Sequence, residues 1–446
     1  MKTILVLIIS ILISVDISIA QSWNQAGSAG FSEGEAFSQS IALDGETPYV
    51  AYMDRANGDK VTVMKFNGLS WEAVGAVGFT EGEASSINIA ISNGIPYVAF
   101  TDEANENKAT VMKFNGSNWV NAGQAGFSSG RATSIALAMN KDIPFVAFID
   151  NMQYNKMTVM KLNDEGWTVL GSAGFTNGSV SVISLAFDDE KPFVSYRDSE
   201  TDMKASVMTF NETNWEQVGI KGFSGGTHDA NKCLAVAGGI PYVASWDSNA
   251  KAAVYKFDGT NWAALGSSDI SVGQANYASI DISDAGILYL AFSDLGNMGK
   301  LVVKKFVDGN WEEVGDAASP GDVSNINVAV SNNGIPFVAY RDHWFMRRTS
   351  VVQYSNVTKI TDLIDNPEFS IYPNPSNGKF TIESVDLKSQ NFNIEIINQL
   401  GQVVLYKQSG FSQRIKIDLS GSENGIYNVK LKNQNKELSK TVIINK

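Results

Sequence analysis

Carboxylates at a fixed spacing are the first residues in this chain that could do chemistry. Asp54, Asp102, Asp150, Asp198, Asp247, Asp294 and Asp342 each close a short apolar segment of the PYVAF type. A base follows six positions later in most units, at Lys60, Lys108, Lys156, Lys204, Lys300 and Arg348, with Lys251 shifted by a shorter loop. Two chemistries fit. Each Asp caps its turn or bridges the hairpin to the Lys, or the oxygens face a ligand or calcium, which needs several oxygens per site. Calcium is the one cofactor the pattern admits, and otherwise none is expected. A second candidate interrupts the pattern at His343, Trp344, Phe345, Met346, Arg347 and Arg348, where other units have small or polar residues. A cation beside an aromatic ring suits an anionic sugar or a peptide carboxylate. His228, Cys233, Trp246 and Asp281 are further departures from the repeat.

Enzymatic readings find little support. Only two His are present, neither with a GxSxG-type nucleophile motif, and the turns and clustered Arg expected of a sialidase are missing. Kelch and WD40 signatures are also missing. A carboxylate pair for glycoside hydrolysis remains open among so many acids, although near-identical units speak against one asymmetric catalytic centre. The expectation is therefore no enzyme. A formal charge of −13 argues against a nucleic-acid partner, which needs a basic footprint.

The elements that position these residues recur. Trp23, Trp71, Trp119, Trp167, Trp215, Trp262 and Trp311 fall at intervals of 48, 48, 48, 48, 47 and 49 residues, in step with the Asp series. A period in this range marks a solenoid, propeller or array. Each unit holds four short β segments separated by turn sequences such as Asn93-Gly94 and Asn115-Gly116. Four antiparallel strands in about 45 residues make one propeller blade. A small residue at Ala42, Ala90, Ala138 and Ala186 suits a crowded inner strand. The Trp opening the fourth strand can fill the widening gap between blades. A GF-[ST]-x-G loop recurs at Phe31, Phe79, Phe127, Phe175 and Phe223 and degenerates at Ile270 and Ser319. That Phe reads as a plug between blades; the alternative is a set of shallow sugar sites shared with Glu33 and Glu81.

The ends of the array predict closure. Trp23 opens a lone fourth-type strand, and the last unit stops after three strands near Tyr354. Pairing them removes the free edge. The expected fold is all-β: a seven-bladed β-propeller over 21–355, a linker over 356–368 and a small C-terminal β-sandwich over 369–446. In such a blade the long loops, including those with the Asp series, leave one face, and the minimal loops leave the other. Function sits more often on long loops held by a rigid scaffold. Residues 1–20 read as a signal peptide: Lys2, an apolar run from Ile4 to Val15, and Ser18-Ile19-Ala20 before Gln21. No later stretch is long and apolar enough to span a membrane. With Cys233 alone, no intrachain disulfide forms.

The last 78 residues carry a more specific signal. In order they hold Tyr372-Pro373-Asn374-Pro375, Gly378, the Asn398-Gln399-Leu400-Gly401-Gln402 turn, Gly425-Ile426-Tyr427 and a basic end at Lys446. This series resembles the C-terminal sorting domain of type IX secretion substrates in Bacteroidetes. The resemblance implies export to the periplasm, recognition by an outer-membrane translocon, and removal of the domain by a sortase-like peptidase. The cargo is then released or held at the cell surface. Together these readings predict a secreted or surface-displayed binding propeller for a glycan or surface polymer, lectin- or adhesin-like and multivalent. The alternatives are a polysaccharide-degrading hydrolase or lyase and a cell-envelope scaffold.

Overall fold

A computed structural model describes residues 21–226, 232–267, 269–356, 369–383, 392–398, 402–408, 414–432 and 437–446. The signal-peptide reading of 1–20, His228, most of the linker, and Gln399, Leu400 and Gly401 lie outside the described residues. Two compact units emerge, Gln21–Asn356 and the C-terminal strands.

The first unit is all-β and propeller-like. Its seven four-stranded antiparallel sheets follow one another along the chain. Sheet 1 runs Ala36–Asp44, Thr47–Asp54, Lys60–Phe66 and Trp71–Ala73. Sheets 2 to 6 begin at Ala84, Ala132, Val180, Leu234 and Ala275. Sheet 7 combines Val323–Val330, Pro336–Asp342 and Arg348–Asn356 with Gln21–Gln25, which pairs antiparallel so that Trp23 faces Tyr354. The first strand of each sheet neighbours the first strand of the next, and that of sheet 7 returns to that of sheet 1.

Second strands are buried on both faces, as in Ile95–Asp102, where every residue after Ile95 is buried. They supply much of each inter-sheet core, for example Val98 and Phe100 between sheets 1 and 2. The repeated Trp locks one sheet to the one before it. Nε1–H donates to a carbonyl of the preceding sheet at Trp71→Ala26, Trp119→Val74, Trp167→Ala122, Trp215→Leu170, Trp262→Val218 and Trp311→Leu265, at 2.6–2.9 Å. Trp23 completes the series by donating to Val314 at 2.6 Å. A glycine must follow each fourth strand: at Gly75 (φ +74°) a Cβ would meet Phe114 at 2.9 Å and Trp119 at 3.2 Å.

First strands expose a backbone edge towards the axis, where polar side chains of the neighbouring sheet satisfy it. Ser40 accepts from Ile89 N at 3.1 Å, Asn88 from Leu137 N at 3.2 Å, Ser279 from Val328 N at 3.0 Å and Asp281 from Val330 N at 2.9 Å. An unpaired edge is thereby closed without another strand. Asp281, at the small inner position, also pairs with Lys232 at 3.1 Å, and Lys232 donates to Val328 O at 3.0 Å. This pair ties sheets 5, 6 and 7 together where the first strand of sheet 5 is short, Leu234–Ala237.

The second unit packs a three-stranded sheet, Ser370–Tyr372, Lys379–Glu383 and Arg414–Asp418, on a four-stranded one, Val403–Gln408, Asn393–Ile397, Gly425–Lys432 and Glu437–Ile444. Alternating residues such as Ile394, Ile396, Ile415, Ile417, Val429 and Leu431 meet in one core. Among the described residues no helix is long and apolar enough to cross a membrane.

Candidate functional site

The Asp series is committed to local structure. Asp54, Asp150, Asp198 and Asp294 cap the following 3-10 turn by accepting the N–H two residues on, at 2.9–3.2 Å. Asp342 accepts from Trp344 N at 3.0 Å and Asp247 from Asn249 N at 2.8 Å. The second oxygen of Asp54, Asp102, Asp150, Asp198 and Asp342 takes a hydroxyl eight residues later, from Thr62, Thr110, Thr158, Ser206 and Ser350, at 2.7–3.3 Å. In sheet 6 the corresponding residue is Val302, and Asp294 instead accepts from Val272 N and Gly273 N, both at 2.9 Å.

Bridging to Lys, the other half of the expectation, is corrected. Asp54 and Lys60 are register partners, yet among the described residues no ion pair joins this Asp series to the bases six positions on. Lys108 pairs with Glu106 at 3.0 Å and Lys251 with Asp269 at 3.0 Å. The turn N–H groups and hydroxyls reach the carboxylates first, inside a buried corner. The same donors occupy the oxygens that calcium would need. Among the described residues no group of three or more His, Cys, Asp or Glu is arranged to hold a metal ion. Burial first, then the charge of Asp54, holds the Tyr52 phenol well above its usual range.

The loop Phe residues are plugs. Phe31, Phe79, Phe127, Phe175 and Phe223 stack on Trp71, Trp119, Trp167, Trp215 and Trp262, with centroids 3.9–4.5 Å apart and planes within 12°. In sheet 7 the equivalent position is Ala318 rather than Ser319. Ser319 donates to Gly321 O at 2.7 Å, as Ser32 does to Gly34 O at 2.8 Å, so it belongs to the hydroxyl that follows the Phe.

The departure at His343–Arg348 behaves differently. Trp344 is 69% exposed and Met346 69%. Arg347 lies 3.7 Å from Glu35, and Arg348 donates its N–H to Phe345 O at 3.1 Å. The buried Arg341 guanidinium lies 3.9 Å from the centroid of the Phe37 ring and 3.7 Å from Glu35, and burial lowers its pKa. His343 Nδ1 stands 2.6 Å from Asp322 Oδ2, and its Nε2 stands 2.9 Å from Ser324 Oγ. An ionised Asp322 only accepts, so Nδ1 carries the proton; in the neutral ring Nε2 then accepts from the Ser324 hydroxyl. Sequence reasoning missed this Ser–His–Asp relay because Ser324 and Asp322 sit 19 and 21 positions from His343, with no local motif. Its access is inverted relative to a hydrolase: Ser324 is 5% exposed, whereas the Asp322 side chain is 60% exposed.

Cavities occur on both faces and along the axis. A cleft of about 650 Å³ between sheets 1 and 2 opens among the short loops and is lined by Tyr49, Lys65, Lys113 and Phe114. The expectation that the short-loop face is featureless is thus corrected. Along the axis, hydroxyl and amide side chains including Ser38, Ser86, Ser134 and Asn88 line about 300 Å³.

In the C-terminal unit the motif residues shape the sandwich. Tyr372-Pro373 and Asn374-Pro375 are cis. Asn374 donates to Thr441 O at 2.9 Å and accepts from Ile443 N at 2.8 Å, clipping the last strand. Gly378 (φ +95°) would place a Cβ 2.8 Å from Ser420 Cα. Tyr427 donates to Glu423 O at 2.8 Å, in the turn that leads into Gly425 and its strand. Lys446 Nζ donates to Ser420 O at 2.6 Å, and to Ser422 O.

Residues 370–445 match the family described as "Secretion system C-terminal sorting domain", which implies secretion, to the cell surface or the medium. None of the curated proteins matches the chain. Among solved structures, AofleA from Arthrobotrys oligospora is 10% identical, covering 66% of this chain and 88% of its own, with a TM-score of 0.42. The Aleuria aurantia lectin, titled a six-bladed β-propeller with a novel fucose recognition mode, is 15% identical over 64% of this chain and 96% of its own, at 0.42. A PL25 ulvan lyase bound to -[GlcA(1-4)Rha3S]- is 12% identical over 75% and 95%, at 0.47. Likenesses at this level carry no argument about blade number or chemistry.

Proposed function

We propose that the chain is an exported glycan- or surface-polymer-binding protein. In this reading the seven sheets form a closed seven-bladed propeller over 21–355. Residues 1–20 are a cleaved signal peptide, 356–368 a linker, and 369–446 a type IX sorting signal read by the translocon and a sortase-like peptidase. The observation that carries the binding reading is Trp344, 69% exposed on the long-loop face in the same turn as His343 and Arg347. The repeated aromatics are consumed by stacking inside the fold, whereas this ring is presented to solvent next to a cation. Exposed aromatic faces beside polar groups are how shallow sugar sites work. A glycan-array screen of the full chain beside Trp344→Ala tests it. The expected result is saturable signal on the native chain, reduced at least tenfold in the variant; equal signal from both proteins places the ligand elsewhere, and a blank native array removes the reading.

A hydrolase is the second reading, and the Ser324–His343–Asp322 relay is what favours it. Attack by Ser324 Oγ on an acyl ester, with its proton passing to His343 Nε2, would release the alcohol, and water would then free the acid. The buried hydroxyl and exposed carboxylate place this second. Labelling of Ser324 by a fluorophosphonate probe, abolished in Ser324→Ala, would promote it above binding.

A further inference from the structure

The first strand of every sheet described at this point breaks at the same place. Ser38, Ser86, Ser134, Val182, Tyr277 and Asn325 all have φ between +45° and +54°, within register shifts such as that between Phe37 and Ser40. Non-glycine residues avoid this left-handed region, and a bulge re-aims the side chain it carries. First strands begin where the long loops end, so the ring of bulges surrounds the axis at the long-loop face. The cavity there, about 300 Å³, is lined by Ser38, Gln39, Ser86, Ser134, Asn88 and Asn327 among others, and no charged side chain lines it.

Gln39 is the informative residue. Its position is held by Ile87, Ile135, Ile183 and Ile326 in other sheets, all buried. Gln39 is 1% exposed, and its Nε2 donates to Thr349 Oγ1 at 3.3 Å. Its Oε1 is buried without a partner. Exchanging the two amide atoms would leave the other one unpaired, so the conclusion does not depend on their assignment. Ser181 Oγ, next to the bulge residue Val182, is also buried without a partner. Native proteins rarely leave such atoms unmatched. An amide in place of isoleucine, with an open valence and at a polar cavity, is poor packing and good ligand chemistry.

Deeper along the axis a second space of about 390 Å³ shares Asn88 and Asn327 and is bounded by Lys232 and Asp281. Both ions there already have partners: Asp281 accepts from Val330 N at 2.9 Å and Lys232 donates to Val328 O at 3.0 Å. The unmet hydrogen bonding therefore lies at the mouth, and it is uncharged. We infer that the axial mouth binds one neutral, polyhydroxylated sugar residue, end-on, with its hydroxyls meeting Gln39 and the bulge serines. A cavity of this size is at the lower end of ligand sites. Because the axis is single, this site is occupied once per chain, unlike the repeated sites expected from the loops. The inference rests on the glycan-binding reading but uses residues independent of Trp344.

Calorimetric titration of the full chain with the methyl glycosides of glucose, galactose, mannose and fucose tests it. At least one should bind with a stoichiometry near one. Its affinity should fall at least tenfold in Gln39→Leu, which removes the open amide, and in Ser134→Leu, which fills the cavity, and stay within twofold in Trp344→Ala. Gln39→Leu should melt no lower than the native chain, since an apolar residue replaces a half-satisfied one. Binding that persists in both axial variants overturns the axial site and leaves the glycan reading standing; so does an array-positive chain that binds none of the four glycosides. A native chain with no glycan signal of any kind removes both.

Discussion

Replacing Trp119 with alanine should weaken the first unit by about 4 kcal/mol. The ring is 8% exposed and stacks on Phe79 at 4.3 Å and 6°, with Phe114 tilted against its other side at 5.7 Å. Truncating a buried Trp costs about 3–5 kcal/mol through lost transfer energy and the cavity left behind. The Nε1–H bond to Val74 O, 2.7 Å, adds about 1 kcal/mol and leaves a buried carbonyl unmet. These terms overlap, so their sum is not expected in full. Trp119→Phe keeps a stacking ring and loses the bond, which predicts a loss of about 1–2 kcal/mol. Urea unfolding followed by circular dichroism measures both. At about 2 °C per kcal/mol for a unit this long, the melting temperature should fall by about 8 °C in Trp119→Ala. A loss below about 1 kcal/mol, or equal losses in the two variants, would refute the claim that this Trp locks sheet 2 to sheet 1.

Asp294→Asn should cost more than Asp102→Asn, about 3 against about 1 kcal/mol in urea unfolding, because Asp294 accepts three backbone N–H groups whereas Asp102 takes an Asn105 amide and a Thr110 hydroxyl. Neither substitution should alter glycan binding; loss of binding at unchanged melting temperature would overturn the structural role. Burial pushes the Cys233 thiol up to about 11, against partial relief from Ser195 and Ser184. A folded pKa above the unfolded one, about 8.5, means that the stabilisation is complete below about pH 8.5 and lost as pH rises towards 11. The stability difference between native and Cys233→Ala chains should narrow over that window, and a disulfide reagent at pH 8 should label Cys233 only after unfolding. Gly378→Ala should destabilise the C-terminal unit, where φ is +95° and Ser420 backbone is 2.8 Å from the added atom. Less exported protein at equal synthesis is the readout.

Much of the fold was legible because the same local problem is solved repeatedly. Trp23 and Tyr354 stand at opposite ends of the unit, and the missing fourth strand after Tyr354 was enough to predict their pairing. The turn-capping Asp residues were legible too, and a closer reading would have noticed the hydroxyl eight positions later, at Thr62, Thr110, Thr158, Ser206 and Ser350. The relay at His343 was not legible. It depends on the loop carrying Asp322 lying against the turn carrying His343, a contact held by His343 N donating to Asp322 O at 3.4 Å. The axial mouth was hidden for another reason: a bulge leaves no mark in residue type when Ser, Val, Tyr and Asn all occupy it. Gln39 in a column of isoleucines was the available signal, visible once the units are aligned on their inner strands.

Hydrogen exchange with and without a glycan found on the array tests the central claim most directly. The account predicts slowed exchange confined to the long-loop face, in residues 319–326 and 343–348 and around the axial bulges near Gln39. Slowed exchange at Gly94–Pro96 and Lys113–Gly116, which border the cleft on the opposite face, would contradict it.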